Sequence, residues 1–212
     1  MLPKVIINCA MSADGKIALP TRRQTRISNE KDMIRVHELR NQCDAVLVGI
    51  GTVLSDNPKL TVKESYVPNP QQPIRIVLDS KGRIPKDAKV LSPDAPTIVA
   101  VSEECEHKIE GAEIIVCGKR QVDIPLLLSI LGEKGIGSIL VEGGEKVIWS
   151  FLRQGLAHEF HVFIGSMVIG GENSPTPAGG EGVIREEDII PLILNNVERV
   201  GDGVLLHYGV EK

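Results

Sequence analysis

The chain has 212 residues, of which 42% are hydrophobic and 25% charged, with a formal net charge of −4. That is enough ordinary sequence for one domain, residues 1–212, somewhat above the modal size and with a real core. Three Phe, two Tyr and one Trp on an acidic chain argue against a nucleic-acid partner, which calls for aromatic faces and a basic groove. Cys9, Cys43, Cys105 and Cys117 are scattered without paired metal spacing, so they read as buried thiols of a reducing compartment and no metal is expected. No apolar run approaches a signal h-region or a bilayer span, so the expectation is a soluble cytoplasmic protein with no membrane partner.

In chain order, residues 5–10 read as a strand running into MSADGK (11–16), where Asp14-Gly15 marks a turn that is more often surface than site. Ser28 or Asn29 caps a helix through Cys43: Met33, Ile34 and Leu39 recur at helical spacing, and Glu30 and Asp32 suit its first turn. Arg40 falls near the helix end, where a lone arginine is usually dipole-compatible surface. The stretch AVLVGIGTVLSDNPKLTVK (45–63) reads as strand, turn, short helix and loop. Its glycine pair, Gly49 and Gly51, fails the dinucleotide fingerprint because Leu54 stands where the third glycine belongs. What remains is Thr52, Asp56 and Asn57-Pro58 at the carboxyl end of a strand, where open α/β sheets bind ligands; a structural turn is the alternative. Residues 66–73 hold three prolines and read as an extended loop, followed by an apolar strand, 74–78, and the turn DSKGR (79–83). Ser80, backbone N–H groups and Arg83 could hold a phosphate there, against solvated loop charge.

Residues 97–101 and 113–116 read as strands, with a short helix or loop at 103–109. Asp123 caps a helix over 124–133 that tolerates Pro125 in its first turn and presents Leu126, Leu127 and Ile130 as a core face. A buried strand at 138–141 runs into Glu142-Gly143-Gly144-Glu145 and a helix at 146–154, so free N–H groups at the helix start face an anion such as a pyrophosphate. Residues 158–168 form a long alternating strand, closed by Gly170-Gly171 before a Pro- and Gly-rich loop through Gly182 that suits a lid or an oligomer arm. The runs 197–200 and 204–208, joined by Gly201-Asp-Gly203, resemble a hairpin. The fold class is therefore α/β, with a mainly parallel central sheet, an antiparallel C-terminal edge and helices on both faces.

MSADGK (11–16), GTVLSDNPKLTV (51–62), LDSKGR (78–83) and VEGG (141–144) occur together and in order, and with them nearly the whole chain resembles the pyrimidine reductases of riboflavin biosynthesis. The resemblance implies a dihydrofolate-reductase-like fold, usually a homodimer, that uses NADPH, with NADH as the lesser alternative. The reaction it implies is reduction of a ribosylaminopyrimidinone 5′-phosphate to its ribityl product. It implies cofactor contacts at Thr52, Asp56, Ser80 and the 143–145 helix start (Gly143, Gly144 and Glu145), and substrate contacts at Arg40, Leu60, Lys63 and Glu142. Lys81 and Arg83 are the nearest sequence candidates for the extra 2′-phosphate of NADPH. Lys63 departs from the arginine common in bacterial relatives, keeping the charge but losing the bidentate fork. No His-x-Glu with a Pro-Cys-x-x-Cys partner is present, so no zinc deaminase is expected and the reductase stands alone, as in the archaeal and fungal route that reduces the 2,5-diamino compound first. The alternatives are reduction of the deaminated pyrimidine and a catalytically idle nucleotide-binding module. No residue is singled out as the proton donor.

Overall fold

The computed structural model describes residues 1–22 and 25–211. Along the chain run β1 (Lys4–Ser12), α1 (Glu30–Gln42), β2 (Ala45–Gly49), α2 (Ile50–Asp56), β3 (Ile74–Leu78), β4 (Thr97–Val101) and β5 (Glu113–Val116). Then follow α3 (Ile124–Glu133), β6 (Ser138–Gly143), α4 (Glu145–Arg153), β7 (Glu159–Gly165), β8 (Leu192–Val200) and β9 (Gly203–Val210), with short 3-10 turns at Lys89–Leu91 and Glu186–Asp188. The chain divides into two compact units, Met1–Lys4 with Val36–Leu140 and Val5–Arg35 with Val141–Lys212.

In the first unit the strands lie in the order β5-β4-β3-β2, all parallel. Such strands read as unbroken apolar runs because both faces are covered, and every residue of β2 and of β4 is buried. Each Val, Leu or Ile so buried contributes about 1.5–3 kcal/mol of transfer free energy. Asp123 caps α3 as its sequence predicts, accepting from the Leu126 N–H at 2.9 Å. Its core face differs from the expected one: Ile124, Leu127, Leu128 and Leu131 are buried whereas Leu126 is exposed, so the apolar stripe lies about a residue further round the helix.

In the second unit β1 pairs in parallel with β7, and β7-β9-β8 is antiparallel. The mainly parallel α/β sheet with an antiparallel C-terminal edge is thus as expected. Asn29 rather than Ser28 caps α1, accepting from the Asp32 N–H at 2.9 Å. Several strand ends differ. β7 stops at Gly165, three residues early, and β8 begins at Leu192, five residues before the apolar run suggested, because polar Asn195 and Asn196 interrupt the sequence pattern while the ladder continues past them with a register shift between Leu194 and Asn196. Residues 103–109 hold no helix, and Cys105 is only half-buried, unlike the other three cysteines. No helix among the described residues is long and apolar enough to cross a membrane.

Candidate functional site

Residues 59–63 run without regular structure, and Leu60, 3% exposed, takes φ 54, a left-handed value rare outside glycine. With no helix or sheet ladder, this backbone is bonded, among the described residues, by four side chains. Arg75 Nη1 donates to the Lys59 carbonyl at 3.4 Å, and Arg40 Nη1 to that of Thr61 at 3.2 Å. Gln72 accepts from the Val62 N–H at 2.9 Å and donates to the Val62 carbonyl at 2.8 Å, while His37 Nδ1 accepts from the Lys63 N–H at 3.1 Å. The Lys63 carbonyl in turn accepts from Tyr66 and Val67 N–H. Lys63 itself is exposed, its Nζ 5.7 Å from the Tyr66 ring centroid. Arg40, Leu60 and Lys63 therefore meet at one segment, to which half-buried Arg40 of α1 is tied through its Nη1.

Gly49 of β2 stands opposite Leu78 of β3, so α2 and the 79–84 turn leave neighbouring parallel strands at the same carboxyl end. Thr52 and Asp56 lie one helical turn apart on α2. Asp56 Oδ1 is buried without a hydrogen-bond partner among the described residues, and burial raises the carboxyl pKa against the lowering bond from Ser55. In the turn, Asp79 Oδ2 accepts from the Ile84 N–H at 2.8 Å, Arg83 Nε lies 3.7 Å from Asp79 Oδ1, and Ser80 Oγ accepts from the Val122 N–H at 3.0 Å. Lys81 is exposed at its tip. Gly82, at φ +65, holds a backbone conformation that strains any side chain, and an added Cβ would sit 2.6 Å from Cys105 Sγ, which would have to shift.

In the second unit, half-buried Glu142 precedes Gly143, whose φ of 116 favours glycine. The Gly143–Gly144 peptide is cis, and Gly144 caps α4 in extended backbone. The first N–H groups of α4 have no intrahelical acceptor, which leaves donors at an N-terminus suited to an anion. The Glu145 carboxylate is ion-paired with Arg22 at 2.8 Å. The 11–16 turn is no loose surface turn: Asp14 accepts from Ser12 Oγ (2.6 Å), Ile169 N–H (3.0 Å) and Gly170 N–H (2.7 Å). Those bonds, the Ser12 hydroxyl foremost, hold its carboxyl down at about 2.

A polar layer is embedded in the same unit. Asp32, fully buried, accepts from Ser28 Oγ at 2.5 Å and Arg35 Nε at 2.8 Å, and Arg35 Nη2 donates to Asn8 Oδ1 at 2.8 Å. His161 stands in register with both Asn8 and His207; the two imidazoles lie 4.2 Å apart, and Glu159 Oε2 is 3.0 Å from His161 Nε2. Desolvation, and then the neighbouring His207, push His161 down to about 4; desolvation and then Arg35 lower His207. Cys9, raised to about 12 by burial, is no nucleophile at neutral pH.

Sequence reading missed His37, Gln72, Arg75 and this layer. Only Arg75 left a signal, a lone cation inside the apolar run IRIVL. It is completely buried and holds Ser92 Oγ and the carbonyls of Ser92 and Ala95.

A model of the RibD C-terminal domain matches residues 3–206. The 2,5-diamino-6-ribosylamino-4(3H)-pyrimidinone 5′-phosphate reductase of Methanothermobacter thermautotrophicus is 42% identical over 216 residues, covering all of both chains. The crystal structure of a diaminohydroxyphosphoribosylaminopyrimidine deaminase/5-amino-6-(5-phosphoribosylamino)uracil reductase from Thermotoga maritima superposes with a TM-score of 0.82 at 30% identity, covering 99% of this chain and 57% of that one. Dihydrofolate reductase from Enterococcus faecalis, complexed with NADP(H), covers 99% of this chain and 97% of its own at a TM-score of 0.54 and 11% identity, a likeness of fold alone. The expected dihydrofolate-reductase-like architecture is therefore present, and the chain belongs to the RibD C-terminal domain family.

Proposed function

We propose that the chain, acting as one reductase domain, reduces the ribosyl group of 2,5-diamino-6-ribosylamino-4(3H)-pyrimidinone 5′-phosphate to the ribityl product with NADPH. The observation that carries this reading is the full-length 42% identity to a reductase named for that substrate, against 30% to a protein named for the uracil compound. A nicotinamide dinucleotide fits one orphaned group in particular: Asp56 Oδ1, a buried acceptor, suits a hydroxyl donor such as that of a ribose. In the first unit, Thr52 and Ser80 add hydroxyls and Lys81 and Arg83 add charge suited to a 2′-phosphate, while Lys63 and Arg40, with Leu60 beside them, suit the substrate's 5′-phosphate. In the second unit, taken by itself, the Gly143–Gly144 turn and the start of α4 at Glu145 offer N–H donors suited to a pyrophosphate, and Glu142 is the substrate-side candidate.

The bound nicotinamide supplies a hydride. Opening of the ribosylamine moves the amine proton to the ring oxygen and leaves a carbon–nitrogen double bond; C1′ takes the hydride and the nitrogen takes one proton from solvent. The protein's contribution is positioning: a clamped 59–63 segment presents its cation without having to order on binding. NADPH oxidation, followed spectroscopically on the diamino and deaminated substrates and repeated with NADH, tests the reading. Binding of NADPH without turnover of either substrate would leave a nucleotide-binding module.

A homodimer accompanies this reading. β8 is an edge strand whose Ile193, Leu194 and Val197 are each at least half exposed, an apolar edge of the sort a second copy covers. The four cysteines are free thiols, as suits a reducing cytoplasm.

A further inference from the structure

The geometry points to His37 as the positioning residue that sets Lys63 for substrate recognition, an inference that rests on the assignment of Lys63 to the substrate phosphate. His37 lies in the second half of α1 and is 1% exposed. Its Nδ1 accepts from the Lys63 N–H at 3.1 Å, which fixes the ring as the neutral tautomer carrying its proton on Nε2. The same ring stacks on Tyr66, with centroids 4.7 Å apart and planes inclined by 24°, and the Lys63 ammonium lies 5.7 Å from the Tyr66 ring centroid. One imidazole thus holds both ends of the lysine: its backbone through a hydrogen bond, and its ammonium through the aromatic ring beside which that ammonium rests.

The alternative, that His37 is a satisfied core histidine with no bearing on the site, leaves the direction of these contacts without a role. Among the described bonds at residues 59–63, Arg40, Gln72 and Arg75 hold the segment as far as Val62, and His37 alone takes the Lys63 N–H. A helix side chain and a loop peptide bonded in this way carry the rigidity of α1 to the cation. A lysine ammonium is a point charge on a flexible stem, without the planar fork of arginine. Fixing its Cα and steering its head over a stacked ring compensates for the missing fork.

The test compares His37→Phe, which keeps the volume and the stack but removes the acceptor, with His37→Asn, whose amide oxygen sits near the Nδ1 position. We expect His37→Phe to raise KM for the phosphorylated substrate roughly tenfold, the upper end for one lost hydrogen bond, while kcat and NADPH affinity stay close to the parent values. His37→Asn recovers most of the KM although it loses the stack. A merely structural role would lower the thermal midpoint of both variants without distinguishing the phosphorylated substrate from its dephosphorylated analogue. Parental KM in folded His37→Phe overturns the inference. Where that variant does not fold, His37→Gln, with its acceptor placed nearer Nε2, replaces it, and equal KM values for Asn and Gln overturn the inference instead. Lys63→Ala in the same assay separates the two levels. If it discriminates by the phosphate and the His37 variants do not, the positioning role alone fails; if Lys63→Ala itself treats both substrates alike, the reading of Lys63 fails.

Discussion

At the scale of single residues, the site rests on groups whose cost in isolation requires a compensating partner. Asp56 keeps a buried carboxylate oxygen without a donor among the described residues, and a buried unsatisfied acceptor costs about 1–3 kcal/mol. Such a group is retained where a ligand supplies the missing donor, so Asp56→Ala is expected to weaken NADPH binding while leaving the fold as stable as the parent or more so, read by titration and by urea denaturation. Lys63 is exposed, so its charge is of little use to stability, which suits the recognition role proposed for it. A charge-assisted contact contributes about 1.5–3 kcal/mol, so Lys63→Ala should cost roughly ten- to a hundredfold in kcat/KM for the phosphorylated substrate. NADPH affinity measured without substrate should barely move, and a variant that loses cofactor affinity instead refutes the assignment. Gly82 shows the opposite case, a residue fixed by backbone. With φ +65 and Cys105 Sγ 2.6 Å from any added Cβ, Gly82→Ala is expected to destabilise by about 1–2 kcal/mol or more, seen as a lower denaturant midpoint.

At the scale of elements, two make separable predictions. The 79–84 turn carries Lys81 at its tip and Arg83 turned back towards Asp79. Arg83 is a shared cation, so Lys81 is expected to contribute more to 2′-phosphate recognition. Replacing both by alanine should lower the NADPH-to-NADH ratio of kcat/KM, and an unchanged ratio places the phosphate elsewhere. β8 is exposed along eight of its nine residues, an open edge for a monomer. Ile193→Lys with Leu194→Lys should convert a dimer to monomer in light scattering, since charge on an edge strand opposes pairing; a monomeric parent would end the dimer proposal.

At the scale of the whole molecule, acid should unfold the protein through two desolvated histidines, His161 and His207. His161 is held neutral, its folded pKa about 4 against 6.5 unperturbed, and His207 is lowered as well. Between those values the unfolded chain binds more protons, so stability is complete above pH 6.5 and falls as the pH drops towards 4. A shift of that size in His161 corresponds to about 3 kcal/mol. Urea midpoints measured across this range should decline for the parent and decline less for His161→Gln, whereas parallel curves would exclude the imidazole as the cause.

The sequence by itself determined the order and type of nearly every element, because those signals are local: β-branched runs for β2, β3 and β4, an aspartate before Ile124 for α3, and glycines at turns. It also placed the candidate ligand turns after strands, because parallel topology puts loops at carboxyl ends. Local signals could not say which groups hold those turns. Arg75 reaches residues 59 and 92–95 from inside a strand, His37 and Arg40 bond a peptide more than twenty positions away, and Asp14 ties the 11–16 turn to residues 169–170. Such partners are chosen by distance in space, and no period or motif records it. Only the tertiary structure therefore decided that Arg40 is a tie, that Cys105 is half-buried, and that two histidines far apart in sequence share one desolvated layer.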